Sequence, residues 1–412
     1  MKHVCLYFQV HQPFRLRNFS FFDIGEGLPY FDDELNEAIV RKVARNCYLP
    51  ANQLLLELIR EHGRFFKVAF SISGTALDQF EQYAPEVIES FRMLANTGCV
   101  EFLAETYGHS LAVLKSEVEF RKQVWAHTEK TRSLFGNSSP VFRNTELIYS
   151  NDIGDIISDM GFNAMLAEGA AQVLHWKAPH QVYSNSSHEL KLLLKHFRLS
   201  DDIAFRFPDK QWQEWPLTPA KYVTWLVEMP ENSIINLFMD YETFGEHHPP
   251  TSGIFHFLKA LPGEILSTET LRFITPSEAI NELPVSGTLS VPQAMSWADV
   301  ERDLSAWLGN DLQQDAFNTL YSLEKKIVAC NNEDLRRDWL YLQSSDHFYY
   351  MSTKTMEDGA VHNHFSPYKS PFDAFINYMN VLSDFSLRLD RWLKRKNINV
   401  YERHPVEARL HL

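Results

Sequence analysis

Residues 233–248 read SIINLFMDYETFGEHH, a run apolar from Ile234 but for Asn236, which ends on Asp240 and turns polar at once. A continuous rather than alternating run suits a parallel strand covered on both faces. A carboxylate at its exit stands where a parallel α/β enzyme places chemistry, because loops at the carboxyl ends of the strands build the site. Three further stretches have the same form: YFQVHQP at 7–13, VEFLAETYGHSL at 100–111 and VFRNTELIYSNDIG at 141–154. The four exits carry His11, Glu105, His109, Glu146, Asp240 and Glu242, and parallel strands would bring them to one rim.

Outward from these, short apolar runs at 4–10, 66–72, 100–104, 141–143, 164–167, 233–239 and 271–275 are the expected strands. Helices with readable ends stand between them. Ser116, with Glu119 three residues on, opens one that stops near Gly136; 52–63 and 75–98 close on glycines, and 151–160 closes at Gly161. Repeated βα units predict an α/β fold, either a barrel or an open parallel sheet. The rhythm breaks between about 170 and 232, where β-like pieces mix with the Trp-rich QWQEWP (211–216); this reads as an insertion on the strand-exit face. Beyond residue 290 the segments 298–308, 310–329, 333–343 and 372–394 look helical, and the last places Phe372, Phe375, Ile376, Met379 and Leu382 on one stripe. The expected division is a catalytic domain over 1–290 and a C-terminal helical bundle over 291–412.

Composition narrows the function. With 45% hydrophobic and 22% charged residues the chain has a sizeable core, which excludes global disorder. A net charge of −14 argues against a nucleic-acid partner, which needs a basic face, and fits a neutral substrate. Cys5, Cys47, Cys99 and Cys330 show no CxxC spacing and read as buried free thiols. Neither a signal peptide nor a run of membrane-spanning length is visible, so the expected setting is soluble and cytoplasmic. Oligomeric state is open.

Two carboxylates facing one cleft are what glycoside hydrolysis needs: one protonates the leaving oxygen, and the other serves as nucleophile or base. Glu146 and Asp240 form such a pair; by spacing alone Glu105 and Glu242 are equal candidates, against a background of 53 acidic residues that mostly meet solvent or cap helices. His11 reads equally as a ligand or as a core histidine, and with His109, His247, His248 and Asp240 it could bind metal. The HxxxH spacing is absent, and the one HxH, His362 to His364, stands far from the other segments, so no metal or other cofactor is expected. Trp297 and the cluster Asp346, His347, Phe348 and Tyr349 could stack on and hydrogen-bond a sugar; Trp307, at helical spacing, reads as core.

HQP at 11–13, Gly98 and Glu101 with GHSL at 108–111, NTE at 144–146, MDYETFGEH at 239–247 and WADVERDLSAWLGND at 297–311 resemble, in order, the sequence regions of α-amylase-like members of glycoside hydrolase family 57. That resemblance implies a distorted TIM-like (β/α)7 barrel followed by a helical region, and retaining cleavage of α-glucans without a metal. It puts Glu146 at the nucleophile and Asp240 at the general acid/base, and His11, Glu105 and His109 near the sugar. The expected substrate is an α-1,4-glucan or maltooligosaccharide. Open alternatives are a 4-α-glucanotransferase using the same residues, a metal-dependent polysaccharide deacetylase and a glucan-binding protein.

Overall fold

The computed structural model describes residues 1–398 apart from 137, 188 and 355–365. The chain divides into two compact units. Met1–Pro13 and Asp33–Leu304 form the first, while Phe14–Asp32 and the described residues from Ser305 onward form the second.

The first unit is built on ten strands: β1 (Lys2–Val10), β2 (Val68–Ile72), β3 (Val100–Phe102), β4 (Val141–Arg143), β5 (Ala164–Glu168), β6 (Val182–Ser184), β7 (Lys191–Lys195), β8 (Ile234–Asp240), β9 (Leu271–Phe273) and β10 (Val285–Thr288). Seven of them close a parallel ring. β1 pairs with β2 and β2 with β3, and a parallel bridge from Ala104 to Phe142 carries β3 to β4. β4 then pairs with β5, β5 with β7, β7 with β8, and β8 with β1. The fold is the α/β barrel expected, but one stave is not. β7 lies inside the stretch read as an insertion, whereas β9 pairs only with Lys2 to Val4 of β1 and sits outside the ring. The polar flanks of β7 hid a core strand, Leu192 to Leu194, that is fully buried.

The β7–β8 seam is thin, with one register pair, Lys195 opposite Asn236. Asn236 reinforces it: its side-chain amide donates to the Leu194 carbonyl (2.8 Å), and its own carbonyl accepts from His196 N–H (2.8 Å). That explains a buried amide in an otherwise apolar strand.

Between the strands, the helix Glu117–Phe135 opens on the Ser116 side chain and ends at Gly136 in the left-handed region, as its sequence says. The expected helix over 75–98 is two, Gly74–Tyr83 and Pro85–Ala95, because Pro85 suits a first helical turn and not an interior. All four cysteines are buried and free.

The first unit extends past residue 290 to Leu304. Residues beyond 290 are tied to the β4 exit: Val291 N–H donates to the Asn151 side chain (2.7 Å), and Met295 and Tyr149 exchange backbone bonds of 2.9 and 3.0 Å. Phe14–Asp32, directly after the first motif, belongs instead to the second unit. There it meets the long helix Pro371–Arg395: Asn377 Oδ1 accepts from Phe19 N–H (2.6 Å), and Asp384 accepts from Gly25 N–H (2.7 Å) and Tyr30 Oη (2.6 Å). These polar anchors turn the helix. Its buried face is Ala374, Asn377, Tyr378, Val381, Leu382, Phe385 and Leu389, while Phe372 and Ile376 of the expected stripe are exposed. Shorter helices, Asp311–Ser322, Glu324–Ala329 and Glu333–Leu342, complete this unit around buried Trp307 and Trp339.

Candidate active site

Side chains alternate along a strand, so residues two apart share a face. Tyr7, Ala69, Leu103, Val141, Leu166, Leu193 and Phe238 belong to one apolar cluster inside the ring. Two residues further along each stave, toward its carboxyl end, stand Gln9, Ser71, Glu105, Arg143, Glu168, Lys195 and Asp240. Every stave therefore contributes one polar group to the same interior layer, and the layer mixes both signs of charge.

Glu105 anchors one side of it. Gln9 Nε2 donates to Oε1 (3.1 Å) and the His109 ring nitrogen Nδ1 bonds Oε2 (3.1 Å). Gln9 is itself fixed, its Oε1 accepting from Tyr7 Oη and Ser71 Oγ, both at 2.7 Å. His127, which the sequence reading missed, accepts from Glu105 N–H on Nδ1 (3.2 Å) and donates from Nε2 to the Ile72 carbonyl (2.8 Å). Burial lowers its pKa, consistent with a neutral ring. Its signal was a histidine on the buried face of a helix, in step with Phe120, Val124 and Thr131.

His109 is the hinge of the site. Its Nε2 lies 3.4 Å from Glu146 Oε1 and its ring stacks on His11, with centroids 3.9 Å apart. Burial opposes its charge, but hydrogen bonds with Glu105 and Glu146 outweigh burial and raise its pKa to about 9. Burial likewise opposes ionisation of Glu105, yet His109 first, then His127 and Arg143, hold it at about 2. Near neutral pH an imidazolium therefore stands between Glu105 and Glu146. His11 Nδ1 is tied in turn to Ser73 Oγ (2.7 Å).

Glu146 leaves β4 through the turn Thr145–Leu147 with left-handed backbone, φ 57° and ψ 23°. Leu147 (φ 52°) and His109 (φ 48°) share that region. Non-glycine residues adopt it at a cost and cluster at functional sites. Here the two facing side chains, His109 and Glu146, both depend on it. Trp297 holds the other carboxylate oxygen: Nε1–H donates to Glu146 Oε2 (2.7 Å) and the Trp297 backbone N–H donates to the Glu146 carbonyl (3.1 Å).

Asp240 ends β8, opposite Gln9 of β1. Just past it, Gly245 takes φ 108°, where a Cβ would collide with the Asn46 carbonyl, so glycine is required there. Glu242 is buried, with Tyr48 Oη donating to its Oε1 and Gln12 Nε2 donating to that hydroxyl (3.2 Å). Burial first, and the neighbouring Asp240 second, push its pKa up to about 8.

Among the described residues no group of three or more His, Cys, Asp and Glu converges with the geometry of a metal site. His109 is engaged by carboxylates, and His248 Nε2 bonds the Ile203 carbonyl (3.1 Å). His362 and His364 lie outside the described residues.

The sequence pattern of glycosyl hydrolase family 57 matches residues 5–292, across β1, β3, β4 and β8 and the exits just described. The chain belongs to glycosyl hydrolase family 57. It is 42% identical over 405 residues to a Methanocaldococcus jannaschii protein named "Putative alpha-amylase", covering 95% of this chain and 86% of that one. The fold is shared with a family 57 branching enzyme from Thermococcus kodakaraensis (TM-score 0.67, 14% identity, 97% of this chain and 92% of that one). It is shared also with an α-amylase from Thermotoga maritima (TM-score 0.62, 13% identity, 96% and 94%). This family member is thus a glycoside hydrolase.

The site residues expected from its sequence fall into two sets. His11, Glu105, His109, Glu146, Trp297 and Asp240 all belong to the barrel unit. Asp346 and His347 lie in the second unit, where Asp346 Oδ2 accepts from Ser344 Oγ (2.8 Å) and His347 Nε2 bonds the Tyr341 carbonyl (3.2 Å). Trp307 is fully buried in that unit. Arg143, Glu168 and Lys195 were not singled out by sequence; a charged residue closing an apolar strand was their signal, the same one that marked Asp240.

Proposed function

We propose that this family 57 enzyme cleaves α-1,4-glucosidic bonds of glucans or maltooligosaccharides with retention, Glu146 acting as nucleophile and Asp240 as general acid/base. The observation that carries the reading is the two-handed hold on Glu146, by the Trp297 indole N–H on one oxygen and the His109 imidazolium near the other. The rival carboxylates are otherwise committed. Both oxygens of Glu105 are engaged by Gln9 and His109, and Glu242 carries a proton at neutral pH. Glu105 then serves the reaction through His109, keeping that ring charged.

In the first step Glu146 attacks the anomeric carbon, the glycosidic C–O bond breaks, and Asp240 gives its proton to the departing oxygen. In the second step Asp240 takes a proton from the incoming acceptor, whose oxygen displaces Glu146 from the same carbon. Water as acceptor gives an amylase; a glucan hydroxyl gives a transferase, and the fold is common to both activities. We take hydrolysis as the principal outcome, on the similarity to the archaeal protein. Asp346 and His347 are proposed sugar contacts of the second unit, and His11 one of the first. The four buried free thiols support a cytoplasmic setting, and no described helix is long and apolar enough to cross a membrane.

The test is incubation with a defined maltooligosaccharide, following reducing ends and product lengths together. Rising reducing ends with shorter products are expected, and Glu146→Gln should lose about four orders of magnitude or more of kcat with the fold intact. Constant reducing ends with longer and shorter products would show a transferase. Near-normal turnover by Glu146→Gln would remove the nucleophile assignment.

A further inference from the structure

The indole of Trp297 is more than a wall of the site. Its N–H donates to the Glu146 carboxylate, and two cations lie over its ring: the Arg143 guanidinium carbon at 5.0 Å and Lys195 Nζ at 5.4 Å from the centroid. Lys195 is fixed from behind, donating to Asp201 Oδ1 (2.9 Å) and lying 3.8 Å from Glu168 Oε2. Arg302 steadies the same segment: it donates to the Trp297 carbonyl and lies 3.6 Å from Glu168 and 3.4 Å from Asp201.

Arg143 is the unusual member. It is fully buried, and none of its three guanidinium nitrogens hydrogen-bonds another group among the described residues. A buried cation without hydrogen bonds costs stability. Residues that break such a rule are expected at functional sites. What Arg143 does touch is the face of an indole whose edge holds a carboxylate. Positive charge over an aromatic ring is attracted by its π electrons. Drawing on those electrons makes the ring N–H a stronger donor, and donors to a carboxylate favour its ionised form.

We propose that Trp297 is a positioning residue for the nucleophile, through which Arg143 and Lys195 keep Glu146 ionised and oriented, rather than a platform for a sugar ring. The inference rests on Glu146 being the nucleophile. Other titratable groups around Glu146 are His109, with Glu105 and His11 behind it, and Glu168 and Asp240 on the same interior layer.

The test is the pH profile of kcat and KM on an aryl α-maltoside whose phenol leaves without protonation. Trp297→Phe keeps a ring for the cations and removes the N–H. It should lower kcat about 10- to 100-fold, leave KM within about threefold, and move the acid limb up by about one pH unit, a tenfold weaker hold on the ionised form. Arg143→Met should move the limb in the same direction without lowering the melting temperature, and Arg143→Lys should bring it back. Carboxyl-carbon NMR, with the Glu146 signal assigned by its loss in Glu146→Gln, reads the same shift without turnover. A raised KM with unchanged kcat and acid limb in Trp297→Phe would restore the sugar-platform role and overturn the proposal. An unmoved Glu146 titration in folded Arg143→Met would overturn the part played by the cations. Wild-type protein inactive on every glucan and maltoside defeats the activity reading instead, while the NMR titration still decides the inference.

Discussion

Replacing Glu242 by glutamine should make the protein more resistant to alkaline pH. In the folded chain burial first, and the charge of Asp240 second, outweigh the hydrogen bonds that Tyr48 and the backbone supply and push the carboxyl pKa from the usual 4.5 up to about 8. A raised pKa means that the folded state holds an extra proton between those values. The stabilising contribution is therefore complete below 4.5 and is lost as pH climbs through 8. Each unit of that climb removes about 1.4 kcal/mol. From pH 5 to pH 8 the loss is on the order of 3 kcal/mol, and the group is buried enough that solvent screening does not shrink it. Glutamine keeps the shape and the Tyr48 bond but does not titrate. Urea unfolding at pH 5, 6.5 and 8 should show the variant gaining on the wild type by about that amount. Because the comparison is a difference, His109 and every other group unaffected by the change cancel. Two stability curves that stay parallel across this range would refute the reasoning, since Glu242 would then ionise without penalty.

Asp240→Ala should lose about 10²–10⁴-fold of kcat on a maltooligosaccharide but form the glycosyl-enzyme at near wild-type rate from an aryl maltoside with an acidic phenol, read as a burst; equal losses on both substrates would deny it the acid role. Asp384→Ala in the second unit should cost about 2–4 kcal/mol in thermal or urea unfolding, because Gly25 N–H and Tyr30 Oη lose a fully buried acceptor. A change under about 0.5 kcal/mol would mean that water replaces the carboxylate there.

The α/β class, most of the staves and the exits where chemistry gathers are legible along the chain alone. A buried parallel strand is apolar along most of its length, and the change of character at its end is visible at Asp240, Glu105 or the turn into Glu146. The helix ends at Ser116 and Gly136 were equally legible, since caps answer to local backbone geometry. What the sequence left open was everything set by partners distant along the chain. β7 looked like a β-like piece of an insertion because its membership in the ring depends on β5, and Phe14–Asp32 looked like barrel because its partners are some 350 residues further on. The buried face of Pro371–Arg395 was misjudged for the same reason, as Asn377 and Asp384 find their acceptors and donors only in the folded second unit. By spacing alone four carboxylates stood level, and the family resemblance singled out Glu146 and Asp240; tertiary structure adds their surroundings, with Glu242 buried beside Asp240, both oxygens of Glu105 engaged, and Glu146 between an indole and an imidazole. Charge states depend on what surrounds a group in space, and no pattern along the chain records that.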